Sequence, residues 1–299
     1  MLLSMSEMSP VVERFVKSRD GLALYCALRG TQHHEAGPSV LCLPGLTRNS
    51  RDFAQLAEWL AGSRQVLTPD LRGRGRSDYD PQFMNYQPAK YADDVLVVLE
   101  QLAVKRVVVI GTSLGGLIAM LLAALRPGML AGVVLNDIGP EIDPAGAMRI
   151  ARYVGQLPPV TNWDEAAAQA RQINSTALPD FGPDDWMRFA RCTYRDDGHG
   201  RPVLDMDPMI GAALLAGAGA TPDLWPLYGA LASIPTLLIR GETSDILSDA
   251  TLAKMLERKA DLEVLRVPGR GHAPTLDEPV CRAAIAAFLQ RVGAAEKGR

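Results

Sequence analysis

The 299-residue sequence predicts an α/β protein with a mainly parallel sheet and helices on both faces. Two observations carry this prediction. Short apolar strands alternate with helices up to residue 137 and again from residue 233, and such alternation implies right-handed crossovers between parallel strands. The strand predicted at 106–110 is nearly all β-branched, which is typical of a strand buried on both faces of a sheet.

The predicted elements begin with a hairpin in 14–29, because Asp20-Gly21 suits a tight turn with positive φ. In 138–232 the alternation stops, and helical segments follow one another between prolines without a strong strand. We therefore expect a core formed by 1–137 and 233–299, with 138–232 inserted as a helical cap. The other predicted strands are 39–43, 65–68, 131–136, 235–240 and 262–267, and the predicted helices are 50–60, 88–102, one ending near 126, 144–157, 163–174, 183–194, 208–216, 249–259 and 278–292.

A serine between glycines is the first candidate for chemistry. The run 111–115 reads Gly-Thr-Ser-Leu-Gly and connects a predicted strand to an apolar helix. Glycines at these places allow a sharp strand-to-helix turn that exposes the serine hydroxyl. Although a serine at this position can simply cap the helix, the strand-to-helix setting favours Ser113 as a nucleophile.

A serine nucleophile needs a base, and the sequence has four histidines. His33 and His34 occupy a polar loop, and His199 occupies a glycine- and aspartate-rich run that is typical of an exposed turn. Only His272 follows a predicted parallel strand, at the edge where open α/β sheets form their sites. We predict His272 as the base.

The acid that orients the histidine has more than one candidate, because any carboxylate at a neighbouring strand end can hold the imidazole tautomer. Asp245 follows the strand 235–240, Asp137 ends the strand 131–136, and Glu242 is a weaker third candidate. We predict Asp245, because the chain order is then serine, aspartate and histidine, with the acid beyond the insertion. Asp137 is alternatively interpreted as a cap of the turn into the inserted helices.

Acyl transfer also needs N–H donors that face the developing oxyanion. The backbone N–H of Leu114, directly after the nucleophile, is one predicted donor. The other is expected from the loop after the strand 39–43, and we select the N–H of Leu46 because Gly45 lets the backbone turn inward.

Composition excludes several classes of protein. A net charge of −3 without a concentrated basic face argues against nucleic acid and anionic membranes as partners. The basic run 72–76 is flanked by aspartates and lacks a P-loop lysine, so it is interpreted as a structural loop. The widely spaced cysteines indicate neither a zinc site nor a disulfide framework, and we expect no metal or organic cofactor. These cysteines are Cys26, Cys42, Cys192 and Cys281.

The expected location is the cytoplasm, because the first ten residues lack the features of a signal peptide and no apolar stretch is long enough to span a bilayer. The expected partner is a small-molecule substrate, and a homodimer is compatible with the sequence. Large apolar side chains in the insertion should pack at helical spacing, and some should line a substrate pocket. These are Met148, Trp163, Trp186, Met187 and Trp225.

With these residues in view, the chain resembles capped bacterial members of the α/β-hydrolase superfamily over nearly its whole length. The matching segments are the loop 43–46, the glycine-rich turn 70–78, the nucleophile turn 111–116, the acid loop 241–245 and the pair Gly271-His272. Pro44 departs from the histidine that the family often has, which changes how that loop is held and leaves the oxyanion role to the backbone.

The resemblance implies a mainly parallel eight-stranded sheet and a Ser-Asp-His hydrolase. It further implies a carboxylesterase that cleaves a carboxylic ester or lactone of a small apolar substrate through an acyl-enzyme. The alternatives are carbon–carbon hydrolysis of a ring-fission diketone and a non-catalytic ligand-binding protein with the same fold. His272 is followed by Ala-Pro-Thr, without the tryptophan often found there in carbon–carbon hydrolases of this superfamily. Ser113 argues against the branches that use aspartate as the nucleophile.

Overall fold

The computed structural model describes residues 10–31, 37–217 and 222–298. His33, His34 and the first nine residues lie outside the described residues. The strands are β1 (Val12–Lys17), β2 (Ala23–Arg29), β3 (Ser39–Leu43), β4 (Val66–Pro69), β5 (Val107–Thr112), β6 (Leu130–Asn136), β7 (Tyr194–Asp196), β8 (Pro202–Leu204), β9 (Thr236–Gly241) and β10 (Glu263–Val267). The α-helices are α1 (Ala54–Ala61), α2 (Pro88–Gln101), α3 (Leu114–Leu125), α4 (Pro144–Ala151), α5 (Trp163–Asn174), α6 (Pro183–Thr193), α7 (Met209–Gly217), α8 (Trp225–Gly229), α9 (Asp249–Arg258) and α10 (Pro279–Lys297).

Eight of these strands form one sheet in the order β1-β2-β4-β3-β5-β6-β9-β10. Strand β2 is antiparallel to both of its neighbours, and the remaining neighbours pair in parallel. The predicted mainly parallel eight-stranded sheet is therefore confirmed. Because β5 lies between β3 and β6, the carboxyl ends of these three strands meet at one edge of the sheet.

Helices cover both faces of the sheet and explain why its central strands are so apolar. Side chains of α2, α3, α8 and α9 pack on one face, and those of α1 and α10 pack on the other. Every residue of β3 and β6 is buried, and β5 is buried except for its last residue, Thr112. Removing this apolar surface from water is the main favourable contribution to folding.

The chain between β6 and β9, called the inserted segment below, forms α4 to α8, the inserted helices, and a small β7–β8 hairpin. The hairpin was not predicted, because strands of three residues are too short to show a periodic pattern. Its turn contains His199, which is exposed as expected. The assignment of 138–232 as a separate cap stays a prediction. Nothing in the described chain forms a helix with the length and apolar character needed to cross a bilayer.

Two close backbone contacts join the chain between β6 and β9 to the loops that follow β9 and β10. A Cβ added to Gly146 of α4 would lie 2.2 Å from the carbonyl oxygen of Asp245, which follows β9. Beyond β10, the N–H of Gly271 donates to the carbonyl of Ala177, in the loop between α5 and α6. The insertion therefore touches the same edge of the sheet that carries the predicted site.

Candidate active site

Ser113 lies in a tight turn between β5 and α3. Its backbone has φ 52° and ψ −113°, a strained conformation for a residue with a side chain. The flanking glycines make the turn possible: a Cβ on Gly115 would lie 2.1 Å from the carbonyl oxygen of Leu43, and one on Gly111 would lie 2.4 Å from the carbonyl group of Gly115. No side chain fits at these positions, so the hydroxyl of Ser113 is held out at the edge of the sheet.

A continuous hydrogen-bonded chain links Ser113, His272 and Asp137. The Nε2 atom of His272 lies 3.0 Å from Ser113 Oγ, and its Nδ1 atom lies 2.8 Å from Asp137 Oδ2. A carboxylate can only accept, so the contact with Asp137 places the ring proton on Nδ1. Nε2 is then free to accept the proton of the Ser113 hydroxyl.

The carboxylate of Asp137 is fully buried and accepts two further hydrogen bonds. The N–H of Gly241, at the end of β9, donates to Oδ1 at 2.8 Å, and the hydroxyl of Ser244 donates to Oδ2 at 2.6 Å. Such donors compensate the cost of burying a carboxylate and fix its orientation toward the imidazole. Ser244 was not singled out from the sequence, although it lies in the acid loop 241–245.

The prediction that Asp245 contacts the histidine is wrong, and the alternative, Asp137, takes that place. Asp137 directly follows β6, the neighbour of β5, whereas Asp245 lies four residues beyond the end of β9, one strand further away. The carboxylate of Asp245 accepts hydrogen bonds from Arg149 of α4 instead. The weaker candidate, Glu242, accepts the N–H of Gly269 in an exposed loop.

The two predicted oxyanion donors come from two different parts of the chain, one from the start of a helix and one from a loop. Leu114 begins α3 directly after Ser113, and Leu46 follows Gly45 in the loop after β3. Within the described part of the chain, neither backbone N–H donates to a protein acceptor. A Cβ added to Gly45 would lie 3.8 Å from the Cβ of Ser113, which shows how closely this loop approaches the serine. The use of the Leu46 and Leu114 N–H groups as an oxyanion hole stays a prediction.

A cavity of about 460 Å³ opens above Ser113 and His272. Its walls come from the loop after β3 and from the inserted helices, and they are mostly apolar. Of the five large side chains predicted as candidate pocket residues, Met187 lines this cavity, whereas Trp186 is buried among the inserted helices and Met148 is exposed. Apolar lining residues include Leu46, Ile150, Leu178, Phe181 and Phe189.

Arg48 and Cys192 lie in the cavity wall, and neither is available as a free reactive group. Arg48 binds Asp52 through two hydrogen bonds, and its guanidinium lies 4.1 Å from the ring centroid of Phe189. Burial opposes the charge of Arg48, but Asp52 outweighs this effect and raises the pKa of the guanidinium. Burial also raises the pKa of the Cys192 thiol, which lines the same cavity. This thiol therefore stays protonated and is a poor nucleophile.

Comparisons with known proteins agree with this architecture. Residues 40–285 match the model of the alpha/beta hydrolase family. The chain is 34% identical over 265 residues to a 3-hydroxybutyrate-oligomer hydrolase of Cupriavidus necator, covering 82% of this chain and 86% of the relative. It is 32% identical over 242 residues to a 2-(acetamidomethylene)succinate hydrolase of Mesorhizobium japonicum, covering 79% and 82%.

Among solved structures, an alpha/beta hydrolase from Novosphingobium aromaticivorans superposes with a TM-score of 0.89 at 46% identity. The superposition covers 95% of this chain and 100% of that structure. The sheet order and the sequence similarity lead to the same assignment. The chain belongs to the alpha/beta hydrolase family and is a hydrolase of that family.

Proposed function

We propose that the protein is a serine hydrolase that cleaves a carboxylic ester through an acyl-enzyme, with Ser113 as nucleophile, His272 as base and Asp137 as the acid. The observation that carries the proposal is the chain of contacts from Ser113 Oγ to His272 Nε2 at 3.0 Å and from His272 Nδ1 to Asp137 Oδ2 at 2.8 Å. Distances in this range allow proton transfer between nucleophile and base.

In the first half of the reaction, His272 Nε2 takes the proton of Ser113 as Oγ attacks the ester carbonyl carbon. The carbonyl oxygen becomes an oxyanion, which the N–H groups of Leu46 and Leu114 would stabilise. Collapse of this intermediate breaks the bond to the alcohol oxygen, and His272 gives its proton to the departing alcohol. The acyl group remains on Ser113. Asp137 stabilises the imidazolium throughout without taking the proton.

In the second half, His272 removes a proton from water, and the resulting hydroxide attacks the acyl carbon. The bond from that carbon to Ser113 Oγ then breaks, the serine regains its proton from His272, and the carboxylic acid leaves. The reaction consumes one ester and one water and yields one alcohol and one acid. It needs no metal or cofactor for its atom balance.

The proposed substrate is an ester with a small apolar acyl group. The cavity is lined mostly by apolar surface and has a volume of about 460 Å³, which lies in the range of small-molecule sites. The Cupriavidus relative is named for oligomers of 3-hydroxybutyrate, whose units are joined by ester bonds. We therefore include hydroxyacyl esters among the proposed substrates, with lactones as a cyclic variant.

The proposal is tested with a fluorophosphonate probe and a substrate panel. The probe should label Ser113 at pH 7.5, identified by peptide mass spectrometry, and the variants Ser113→Ala and His272→Ala should remain unlabelled. Absence of label on the native protein would overturn the nucleophile assignment and favour a non-catalytic ligand-binding protein.

The panel contains p-nitrophenyl esters of two to eight acyl carbons, the dimer and trimer of 3-hydroxybutyrate, a lactone and one ring-fission diketone. We expect the highest kcat/KM with an ester of short or medium acyl chain. A labelled enzyme that cleaves the diketone and leaves all esters intact would keep the triad but overturn ester hydrolysis in favour of carbon–carbon hydrolysis.

A further inference from the structure

The middle arginine of the glycine-rich turn, Arg74, is a completely buried cation. Among the described residues no carboxylate lies within ion-pairing distance of its guanidinium, in contrast to Arg72, which pairs with three aspartates. Arg74 Nη1 donates to the carbonyl of Arg72 at 2.8 Å, and Nη2 has no hydrogen-bond partner in the part of the chain that the structure describes. A buried charge without an opposite charge is costly, so its retention calls for a role.

The Nε donor of Arg74 reaches the loop that faces the nucleophile. Arg74 Nε donates to the carbonyl oxygen of Leu46 at 2.9 Å. On the other side of Leu46, the carbonyl of Gly45 accepts the N–H of Arg48 at 3.1 Å. Both peptide groups that flank Leu46 are thereby fixed by their carbonyl oxygens. In the peptide bond between Gly45 and Leu46, the N–H of Leu46 points in the direction opposite to the carbonyl of Gly45.

The guanidinium is itself held firmly. It lies 4.6 Å from the ring centroid of Tyr91, close enough for a cation–π interaction. Backbone bonds also tie the turn to the inserted segment, from the N–H of Gly75 to the carbonyl of Asp205 and from the N–H of Asp207 to the carbonyl of Gly73. The donor that contacts Leu46 therefore sits on a rigid support, as precise positioning of a reactive site requires.

We infer that Arg74 is the positioning residue of the oxyanion hole. Its hydrogen bond holds Leu46 so that the Leu46 N–H faces the oxygen that becomes negative during attack by Ser113. Its charge, which pairs with no carboxylate of the described residues, lies behind the same loop and favours that negative oxygen in a medium of low dielectric constant. Pro44 cannot brace this loop through a side-chain donor, and Arg74 supplies the donor from a different segment. The inference rests on the proposed serine hydrolase mechanism.

Three substitutions separate the hydrogen bond from the charge. Arg74→Met removes both, Arg74→Gln keeps an N–H donor without charge, and Arg74→Lys keeps the charge with a different donor geometry. Arg76→Met is the matched control, because Arg76 is in the same turn but half-exposed. The readouts are the rate constant for fluorophosphonate labelling of Ser113, and kcat and KM for p-nitrophenyl butyrate, each normalised to the folded fraction from thermal unfolding.

We expect Arg74→Met to lower both kcat and the labelling rate about 10- to 100-fold, with KM changed less than twofold, because the loss of one oxyanion donor costs 10²–10³-fold and a misplaced donor somewhat less. Arg74→Gln and Arg74→Lys should each restore part of the rate, and Arg76→Met should equal the native protein. A rise in KM with unchanged kcat would overturn the inference. A folded Arg74→Met variant that labels at the native rate would also overturn it. If Arg74→Met does not fold, native labelling rates of both folded Arg74→Gln and folded Arg74→Lys would overturn it instead.

The labelling experiment tests the role of Arg74 separately from the proposed ester substrate. The phosphonyl oxygen of the probe occupies the oxyanion position, so Arg74 is testable on an enzyme that labels but cleaves no ester. In that case the ester proposal fails while the labelling rates still decide the role of Arg74. If native Ser113 does not label at all, the nucleophile assignment fails, and the inference about Arg74 fails with it.

Discussion

Asp245 and Arg149 form a bidentate ion pair, in which Nε and Nη2 of Arg149 lie 2.5 and 2.9 Å from the two carboxylate oxygens. Partial burial opposes ionisation of Asp245, but Arg149 outweighs it and holds the pKa of this carboxyl below its ordinary value. The carboxylate in the loop after β9 thus binds the inserted helix α4. Orientation of His272 is left to Asp137, at the end of β6.

The first prediction concerns these two aspartates. Asp137→Asn should lower kcat for a p-nitrophenyl ester by about 10⁴-fold, because an amide can stabilise the wrong histidine tautomer and cannot stabilise the imidazolium. Asp245→Asn should change kcat less than tenfold, because it removes the charge from a half-exposed pair with Arg149 and leaves the contact between Asp137 and His272 in place. Both variants are compared by steady-state kinetics at pH 7.5.

Circular dichroism of both variants controls for folding. A large loss of kcat in Asp245→Asn, together with a nearly native Asp137→Asn, would contradict the assignment of the acid. The same result would also mean that the contact of 2.8 Å between His272 and Asp137 does not support the proposed mechanism.

Local pattern was enough to predict most of the fold and two of the three residues in the hydrogen-bonded chain. Alternating strands and helices have their own periodicity, and the glycines around Ser113 follow from steric limits within a few residues. His272 could be found because it is the histidine that follows a parallel strand. These features depend on short stretches of sequence or on a general rule about the edge of the sheet.

The acid could not be chosen in this way, because the choice depends on strand order and on the direction of side chains. Asp137 and Asp245 both follow parallel strands, and the sequence does not show that Arg149 of α4 engages one of them. The contact between Arg74 and Leu46 is equally inaccessible to pattern, since it joins segments 28 residues apart through a buried side chain. Long-range polar contacts of this kind are resolved only when the elements are assembled.

A second prediction addresses the turn that carries the nucleophile. Gly115→Ala should destabilise the fold by about 3 kcal/mol or more, because its Cβ would lie 2.1 Å from a backbone oxygen of Leu43 that cannot move without disturbing β3. Gly128→Ala is the matched control, since a Cβ there meets no atom within 4 Å. Urea unfolding measures both. Equal midpoints for the two variants would show that the turn tolerates a side chain.

A third prediction concerns the contact between the inserted segment and the loop 268–278, which carries His272 and is called the histidine loop. A Cβ on Gly271 would lie 2.8 Å from the Cα of Ala177, so Gly271→Ala must push the two loops apart. We expect kcat to fall at least tenfold through displacement of His272, since misplacement by about 1 Å can cost 10²-fold. The melting temperature should change by only a few degrees. Gly62→Ala, which has open space at the Cβ position, serves as the control. An unchanged kcat for Gly271→Ala would show that His272 is positioned independently of the inserted segment.

The last prediction follows from the carboxylate of Glu278, which supports the same loop. Glu278 Oε1 accepts hydrogen bonds from Arg270 Nε at 2.8 Å and from the N–H of Thr275 at 3.1 Å, on the two sides of His272. Burial opposes ionisation, but Arg270 and the backbone donors outweigh it, so the pKa of Glu278 lies below its ordinary value of 4.5. Arg270 also binds Asp180 of the inserted segment, which keeps the cation close when Glu278 is changed.

Because the pKa of Glu278 is lower in the folded state, its contribution to stability is present above about pH 4.5 and is lost as the pH falls through the folded-state value. Glu278→Gln should therefore lower the free energy of unfolding by about 2 kcal/mol at pH 7 and by clearly less at pH 3. Urea unfolding of both proteins at the two pH values measures this difference. Glu100→Gln, at a half-exposed position, is the control for the removal of one carboxylate and is measured at the same two pH values. The free energies of unfolding of the native protein and of Glu278→Gln could instead differ by the same amount at both pH values. That result would mean that the amide loses packing alone, and that ionisation of Glu278 does not stabilise the histidine loop.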